Sequence, residues 1–280
     1  MGTKAAKAVE ECLKDSDFPS LQQLALFHNK FGEGGAVEVA EGLKEGRGFL
    51  RLRLLDLSFY HLGNWLRDGG GAAVGECLKE GDFLSLQTLD LSQNSILSEG
   101  IQRIEEGLKG SRFPSLKNLN LSYSEVVGKD GKAVGEGLKE GSFPSLQSLN
   151  LASTKLGQPG GEAVVEGLMK GSFVTLQTLN ISHNGLTGGK GGKIVGDLLK
   201  FSNFPLLSSL YIHGNRFSQE GGKALGEGLR EGNLSLLRIL NISQNDLGVE
   251  GGRAVTEGLC IGKFNSLETL DISSNADGFE

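Results

Sequence analysis

A segment of thirty residues recurs along this chain, and the copy from Phe143 to Ser172 shows it most clearly: FPSLQSLNLASTKLGQPGGEAVVEGLMKGS. Each copy contains the pattern Leu-x-x-Leu-x-Leu-x-x-Asn or a close variant, then a glycine-rich turn, then a short helical pattern that ends in glycine. In a chain with such a fixed period, each repeat packs mainly against its neighbours in a linear array. The repeat therefore predicts one continuous domain over residues 1–280 rather than two globular domains.

The leucine pattern occurs nine times, which predicts nine strands. Leu149 and Leu151 are one pair of alternating residues that should face inward, because side chains alternate between the two faces of a strand. The first positions of the pattern are Leu21, Leu52, Leu86, Leu116, Leu146, Leu176, Leu207, Leu237 and Leu267, and its last positions are Asn29, Tyr60, Asn94, Ser124, Thr154, Asn184, Asn215, Asn245 and Asn275.

The second half of each repeat predicts an amphipathic helix. In the copy Lys132–Gly141, Ala133, Val134 and Leu138 share one helical face and charged residues occupy the other. The glycines that end these segments suit a left-handed helix terminus; they are Gly46, Gly81, Gly110, Gly141, Gly171, Gly232 and Gly262. Glycine inside a helix costs about 1 kcal/mol relative to alanine, so the repeated GEGL pattern reflects a packing need or recent duplication. We expect close approach between helices.

These features resemble the leucine-rich repeat family, and specifically its ribonuclease-inhibitor-like branch, over essentially the whole chain. That branch includes repeat domains of intracellular nucleotide-binding innate receptors, Ran GTPase-activating proteins and tropomodulins. The resemblance implies an α/β fold, a right-handed solenoid (horseshoe) with a concave parallel sheet of about nine strands and helices on the convex side. It also implies that the last Asn of each pattern bonds turn backbone. We therefore expect weaker or water-mediated bonds at Tyr60, Ser124 and Thr154.

Composition narrows the function classes. The formal net charge is −6, which gives no source for the phosphate attraction that dominates nucleic-acid binding, so we expect no nucleic-acid partner. The sequence has no apolar run long enough to suggest a membrane span, and we expect no membrane partner. Cys12, Cys77 and Cys260 are odd in number, and the first two lie two repeats apart, beyond disulfide reach. They predict free thiols and a cytoplasmic protein.

Three features invite a chemical interpretation, and each has a stronger structural one. The glycine-rich Thr187–Lys193 lacks the first Gly of a phosphate-binding loop and the Ser or Thr after its Lys. Stacking could pair His28 with His61 and His183 with His213, but two ligands make a poor zinc site. A column of serines recurs after the strands, whereas a nucleophile is unique. We expect no catalytic residue, no cofactor and no metal.

The outward strand positions predict a partner surface. Most hold Asp, Asn or Ser, which is typical of a solvated side-chain ladder, and aromatic exceptions are the residue types that anchor interfaces. The exceptions concentrate in the first two repeats, where an insertion from His61 to Gly71 carries the only Trp. We expect the surface to centre there, although these aromatics could instead cover an edge of the core. The candidate partner-binding residues are Phe27, His28, Phe59, Tyr60, Trp65, Arg67, Tyr123, Tyr211 and His213.

The functional expectation is a non-enzymatic module that holds a protein partner of unknown identity. The resemblance leaves two alternatives, a GTPase activator like the Ran-directed members and a sensing fragment of a larger receptor. Such activators usually carry an acidic tail, and this chain stops at ADGFE. The chain opens within a helical segment and closes just after Asn275 without evident caps. We therefore expect a segment of a longer array whose open ends permit end-to-end self-association.

Overall fold

The computed structural model describes residues 3–15, 18–27, 29, 31–46, 49–58, 66–81, 83–96, 98–110, 113–124, 131–201 and 204–275. Within these ranges nine helices alternate with nine strands of three residues each. The helices are α1 (Thr3–Asp15), α2 (Gly32–Glu45), α3 (Arg67–Glu80), α4 (Ser98–Gly110), α5 (Gly131–Glu140), α6 (Gly157–Lys170), α7 (Gly188–Phe201), α8 (Ser218–Glu231) and α9 (Gly248–Ile261). The strands are β1 (Gln23–Ala25), β2 (Leu54–Asp56), β3 (Thr88–Asp90), β4 (Asn118–Asn120), β5 (Ser148–Asn150), β6 (Thr178–Asn180), β7 (Ser209–Tyr211), β8 (Ile239–Asn241) and β9 (Thr269–Asp271).

The strands form one parallel sheet in chain order, from β1 at one edge to β9 at the other. Each central leucine pairs with the central leucine of the next strand, as Leu149 does with Leu179. Both of these leucines are fully buried between the sheet and the helices. Every described repeat adds one strand and one helix to the stack, so the predicted α/β solenoid is confirmed.

A row of phenylalanines continues the core below the sheet. Phe113, Phe143 and Phe173 occupy the same position in successive repeats and are almost completely buried. Their ring centroids are 6.2 Å apart at each step, and the rings stack with interplanar angles of 6° and 17°. A Phe follows every described helix except α8, where Leu234 takes its place, and these side chains lie in the core or pack against it where the chain turns toward the next strand.

Paired glycines bring successive helices into backbone contact, as the sequence predicted. A Cβ added to Gly226 of α8 would lie 2.3 Å from the carbonyl oxygen of Ala254 in α9. A Cβ on Gly258 of α9 would lie 2.3 Å from the carbonyl oxygen of Gly226. We call such a contact a glycine seam. The other seams are Gly75 with Gly107 between α3 and α4, Gly135 with Gly167 between α5 and α6, and Gly196 with Gly228 between α7 and α8.

Four of the consecutive helix pairs lack a glycine seam: α1 with α2, α2 with α3, and the two loosely packed pairs α4 with α5 and α6 with α7. Between α4 and α5 the first glycine is replaced by Glu105, and a Cβ on the opposing Gly137 would come no closer than 3.5 Å to Glu105. Between α6 and α7 both glycines are replaced, by Val165 and Leu198. These two pairs are the least closely packed of the consecutive helices in the described part of the chain.

The prediction of left-handed glycines at the helix ends is wrong where the C-cap is described. Gly46, Gly81, Gly171, Gly232 and Gly262 all have φ between −67° and −76° with extended ψ. The reason for glycine is steric instead. A Cβ on Gly81 would lie 2.4 Å from the ring of Phe83, and a Cβ on Gly262 would lie 2.4 Å from the ring of Phe264. The missing side chain leaves room for the phenylalanine that enters the core.

The final Asn of the strand pattern links neighbouring repeats. Asn215 Nδ2 donates to the carbonyl oxygens of Ile181 and Ile212, each at 3.0 Å, and its Oδ1 accepts from the backbone N–H of Asn184 at 2.8 Å. Asn245 makes the same bonds: its Nδ2 donates to the carbonyl oxygens of Ile212 and Ile242, and its Oδ1 accepts from the backbone N–H of Asn215 in the preceding repeat. The implied role of this Asn in bonding turn backbone is confirmed at these positions.

The two described departures from Asn behave differently. The expectation of weak bonding is wrong for Thr154, whose Oγ1 donates to the Leu151 carbonyl and lies 2.8 Å from Asn184 Oδ1. A β-hydroxyl reaches the same carbonyl that the amide would. The expectation of weak bonding holds for Ser124, whose buried hydroxyl has no hydrogen-bond partner within the described part of the chain. Tyr60 lies outside the described residues.

Ser124→Asn should therefore stabilise the protein by about 1 to 2 kcal/mol. By analogy with Asn215, the new amide would bond two buried carbonyls and accept from the backbone of the preceding repeat. The unfolding midpoint in urea measures the effect. Ser122→Asn is the control and should not raise the midpoint, because the Ser122 hydroxyl already bonds Asn120 Oδ1 at 2.8 Å. An unchanged midpoint for Ser124→Asn would contradict this account of the array.

The last strand leaves its core side uncovered in this chain. Leu270 is 42% exposed, whereas its counterpart Leu240 is fully buried. End-to-end self-association through this surface stays a prediction. Within the described ranges, no helix combines the length and apolar character needed to cross a bilayer.

Candidate protein-binding surface

The outer face of the sheet carries a repeated polar turn just after the strands. In this turn an Asp or Asn oxygen accepts a hydrogen bond from the backbone N–H two residues later, as Asp90 Oδ1 does from Ser92 at 2.9 Å. The same bond joins Asp56 to Ser58, Asn120 to Ser122, Asn150 to Ala152, Asn180 to Ser182, Asn241 to Ser243 and Asp271 to Ser273. These polar columns therefore have a structural role, which supports their interpretation as a side-chain ladder.

The seventh strand replaces this turn with aromatic residues. Tyr211 pairs in register with Asn180 and Asn241, but its side chain has no carboxamide oxygen to cap the turn. His213 stands where most repeats have serine. The rings of His183 and His213 have centroids 4.8 Å apart in an edge-to-face arrangement. We call Tyr211, His183 and His213 the Tyr211 cluster.

Gly214 makes room for this cluster. Its φ is +68°, and a Cβ at this position would lie 2.2 Å from the imidazole Nδ1 of His183. The Nδ1 of His213 is buried and has no hydrogen-bond partner among the described residues. A buried polar atom without a partner is unusual in a folded protein. The Tyr211 cluster thus replaces a self-satisfied polar turn with aromatic rings.

The environment of His213 lowers the pKa of its imidazole below the ordinary 6.5, first through burial and then through the neighbouring His183, with Asp271 acting in the opposite direction. The unfolded chain therefore binds this proton at a higher pH than the folded protein does. The contribution of His213 to folding stability is lost as the pH falls below about 6.5.

His213→Ser should make stability less sensitive to acid. We expect the difference in melting temperature between about pH 7.5 and pH 5.5 to be smaller in His213→Ser than in the wild type. Scanning calorimetry at the two pH values measures it. Glu257→Gln, on the outer face of α9, is a control that should keep the wild-type difference. Equal differences in the wild type and His213→Ser would show that His213 is not desolvated.

The structure places the other candidate residues apart from the Tyr211 cluster. Phe27 follows β1 and is 52% exposed, and Tyr123 follows β4 with 57% exposure and a left-handed φ of 56°. Arg67 is exposed at the start of α3. His28, Phe59, Tyr60 and Trp65 lie outside the described residues, so the expected centre in the first two repeats stays a prediction.

Three features that suggest ligand or thiol chemistry have structural explanations. In the glycine-rich Thr187–Lys193, a Cβ on Gly192 would lie 2.2 Å from the Cα of Gly221, so this glycine allows α7 to approach α8. The hydroxyls of Ser122, Ser182 and Ser243 bond the Asn oxygen of their own turn. Burial raises the pKa of the Cys77 thiol to about 12, which keeps it protonated.

One acidic cluster among the described residues has the spacing of metal ligands: Glu10, Glu38 and Glu41. A hydrogen bond to Glu38 and contact with the Lys14 ammonium lower the pKa of Glu10, and the same carboxyl pair raises the pKa of Glu38. The Lys14 ammonium lies 2.5 Å from a Glu10 carboxylate oxygen, so a cation of the protein itself already offsets negative charge in this cluster.

Family models match four segments of the chain. A model described as Leucine Rich repeat matches residues 144–165, 174–192 and 233–255, and a model described as Leucine Rich Repeat matches residues 85–106. The chain contains leucine-rich repeats. The first of these segments covers β5 and the start of α6, so the family pattern and the structural repeat coincide there.

Comparison of the leucine-rich repeat chain with whole proteins does not narrow its family further. No curated protein matches it. Among solved structures, an internalin from Listeria monocytogenes is 13% identical, and the match covers 95% of this chain and 94% of the internalin with a TM-score of 0.29.

His183 is not among the partner-binding residues predicted from the sequence. The sequence suggested it only as a metal ligand paired with His213. The repeat spacing alone places the two histidines in neighbouring turns, and the glycine at position 214 is the signal that one ring lies over the next turn.

Proposed function

We propose that this chain is a non-enzymatic protein-interaction module that presents the outer face of its sheet to a protein partner. The observation that supports this proposal most is the Tyr211 cluster, where aromatic rings replace the self-satisfied polar turn. Leucine-rich repeats are typically binding scaffolds rather than enzymes. Exposed Phe27 and Tyr123 add aromatic surface on the same side of the sheet.

The partner surface is proposed to extend from the first repeats to β7. Aromatic side chains supply much of the energy in protein interfaces because they bury large areas at low entropic cost. The polar turns between them leave backbone polar groups satisfied, so a partner would meet aromatic anchors separated by neutral or acidic rims. We further propose a cytoplasmic location, supported by the free thiols of Cys12, Cys77 and Cys260.

The thirty-residue period with a helix in every described repeat supports placement in the ribonuclease-inhibitor-like branch. We propose that placement as well.

The experiment compares partner capture by the wild type with capture by Tyr211→Asn/His213→Ser. This double variant converts the seventh turn to the sequence pattern of Asn241 and Ser243, so its stability should match or exceed that of the wild type. Bound proteins are identified by mass spectrometry and verified by calorimetry with purified partner. We expect affinity to fall by about tenfold or more.

Phe27→Ala, Phe59→Ala and Trp65→Ala test the amino-terminal part of the surface in the same way. Lys223→Ala on the outer face of α8 serves as the matched control and should leave capture unchanged. A partner that binds all strand-face variants with wild-type affinity would overturn the proposed surface. Accelerated GTP hydrolysis by a small GTPase at catalytic amounts of the chain would overturn the non-enzymatic assignment.

A further inference from the structure

A groove separates α6 from α7 on the helical side of the solenoid. Its volume is about 500 Å³. It lies where Val165 and Leu198 replace the glycine pair, so the two helices cannot approach as closely as those joined by a glycine seam. The groove is thus a direct result of two side-chain substitutions in the repeat.

Apolar side chains form the floor and one end of this groove. Val165 and Ile194 are each 7% exposed and lie at its base. Met169 and Phe201 line it with exposures of 41% and 59%, although they occupy helix positions that most repeats fill with charged residues. Met169 and Phe201 thus give the groove an open apolar strip on an otherwise charged helical face.

Ion pairs of both signs form the rim. The Glu162 carboxylate on α6 lies 2.8 Å from the Lys190 ammonium on α7, and this pair spans the groove. Glu166 pairs with Lys170 along α6 at 2.5 Å, and hydrogen bonding to that ammonium lowers the pKa of the Glu166 carboxyl. The rim along α6 is therefore acidic at Glu162 and Glu166.

The α7 side of the rim is mainly basic. Lys190 and Lys193 lie near the start of the helix, and the Lys193 ammonium is 2.7 Å from Asp197. These charged side chains are between 39% and 66% exposed, so each pair can exchange partners at little cost.

The loosely packed pair α4 and α5 shows that wide helix spacing alone does not produce an apolar groove. Between α4 and α5 the Lys109 ammonium pairs with Glu105 of its own helix and with Glu140 of the next helix. Charged side chains fill that space. The α6/α7 groove instead keeps an apolar floor with its charges at the rim.

We propose that the α6/α7 groove binds an amphipathic helix of a protein partner, with basic residues along the flank facing α6 and acidic residues along the flank facing α7. Val165 and Met169 are four residues apart, and Ile194 and Phe201 are seven apart, which matches the spacing of an apolar helical stripe. The acidic rim along α6 and the basic rim along α7 determine which flank of the bound helix faces each side.

The dimensions favour a single helix over a second copy of the chain. Each bordering helix has 14 residues, which gives a length of about 21 Å. Two neighbouring helices of this length, each about 10 Å wide, present a face of roughly 400 Å², about half of the ~800 Å² per partner in a stable specific interface. Apart from the Glu162–Lys190 ion pair that crosses it, the groove is open to solvent, whereas small-molecule sites enclose most of the ligand.

The test uses a synthetic labelled helix of about 18 residues, with leucines at positions i, i+4, i+7 and i+11, lysines on one flank and glutamates on the other. A scrambled peptide of the same composition is the control. Fluorescence anisotropy with the full chain should show saturable binding in the micromolar range, and the scrambled peptide should not bind.

Phe201→Ser/Met169→Ser should weaken binding by about tenfold or more. Ile261→Ser is the matched variant, because Ile261 holds the position of Phe201 in α9 and is 65% exposed. It should bind the peptide like the wild type. The Tyr211→Asn/His213→Ser variant should also bind normally, since it changes only the strand face, which separates this proposal from the proposed function.

Lack of saturable binding to the designed helix would overturn the proposal. Equal affinity of the wild type and Phe201→Ser/Met169→Ser would overturn it too, as would equal binding of the scrambled peptide. Because Phe201 and Met169 are exposed, these substitutions leave the core intact, and circular dichroism checks that the variant is folded.

Discussion

Replacing Gly226 by alanine should destabilise the protein by about 1 to 3 kcal/mol, although alanine is the better helix former. The added Cβ would lie 2.3 Å from the carbonyl oxygen of Ala254 and 2.5 Å from its carbonyl carbon. These are backbone atoms of α9, so the clash can be relieved only by moving α8 and α9 apart. That movement would separate the apolar faces of both helices from the core.

Gly137→Ala is the matched control, because it places the same change where no seam exists. The nearest atom to a Cβ on Gly137 is Glu105 Cγ at 3.5 Å, an ordinary contact. Alanine should therefore stabilise α5 by up to about 1 kcal/mol through helix propensity. Urea unfolding of the two variants would show shifts of opposite sign. A stabilised Gly226→Ala would contradict the account of the seams.

Removing the Asn215 side chain should cost about 3 to 5 kcal/mol. Asn215→Ala leaves the buried carbonyls of Ile181 and Ile212 without this donor, and the N–H of Asn184 without its acceptor. Each of these groups is buried between two repeats, where water cannot replace the amide. The loss should exceed that of any single polar substitution on the outer face of the sheet.

Hydrogen exchange identifies the mechanism of this loss. In Asn215→Ala the amide proton of Asn184 should exchange much faster than in the wild type, beyond the change in global stability. Asn215→Thr should lose roughly half as much stability, because Thr154 shows that a hydroxyl can bond the preceding carbonyl. A small loss for Asn215→Ala, or normal protection at Asn184, would contradict the bonding scheme.

The fold was predictable because its information is local and repeated. Leu149 and Leu151 alternate as strand residues do, and the same pattern returns in each repeat, so nine strands and their order follow from stacking. Glycine at positions such as 226 indicated close helix approach. The conformation of Gly81 was not predictable, because its cause is the ring of Phe83, and only the packed structure shows that contact.

The candidate surface was predictable in part. Tyr211 and His213 stand out as exceptions to a polar column, whereas the role of that column in capping turns depends on hydrogen bonds that a sequence does not show. The α6/α7 groove was missed altogether. Its signal was the pair Val165 and Leu198 in place of two glycines, which has meaning only when the glycines of neighbouring helices are known to touch.

The uneven distribution of glycine seams also has a mechanical consequence. Helices α7, α8 and α9 are locked together by backbone contact, as are α3 with α4 and α5 with α6. Strain applied to the array would not spread evenly among the repeats. Bending and twisting should concentrate between α4 and α5 and between α6 and α7, the two least closely packed pairs, so that α3–α4, α5–α6 and α7–α9 behave as three stiff blocks.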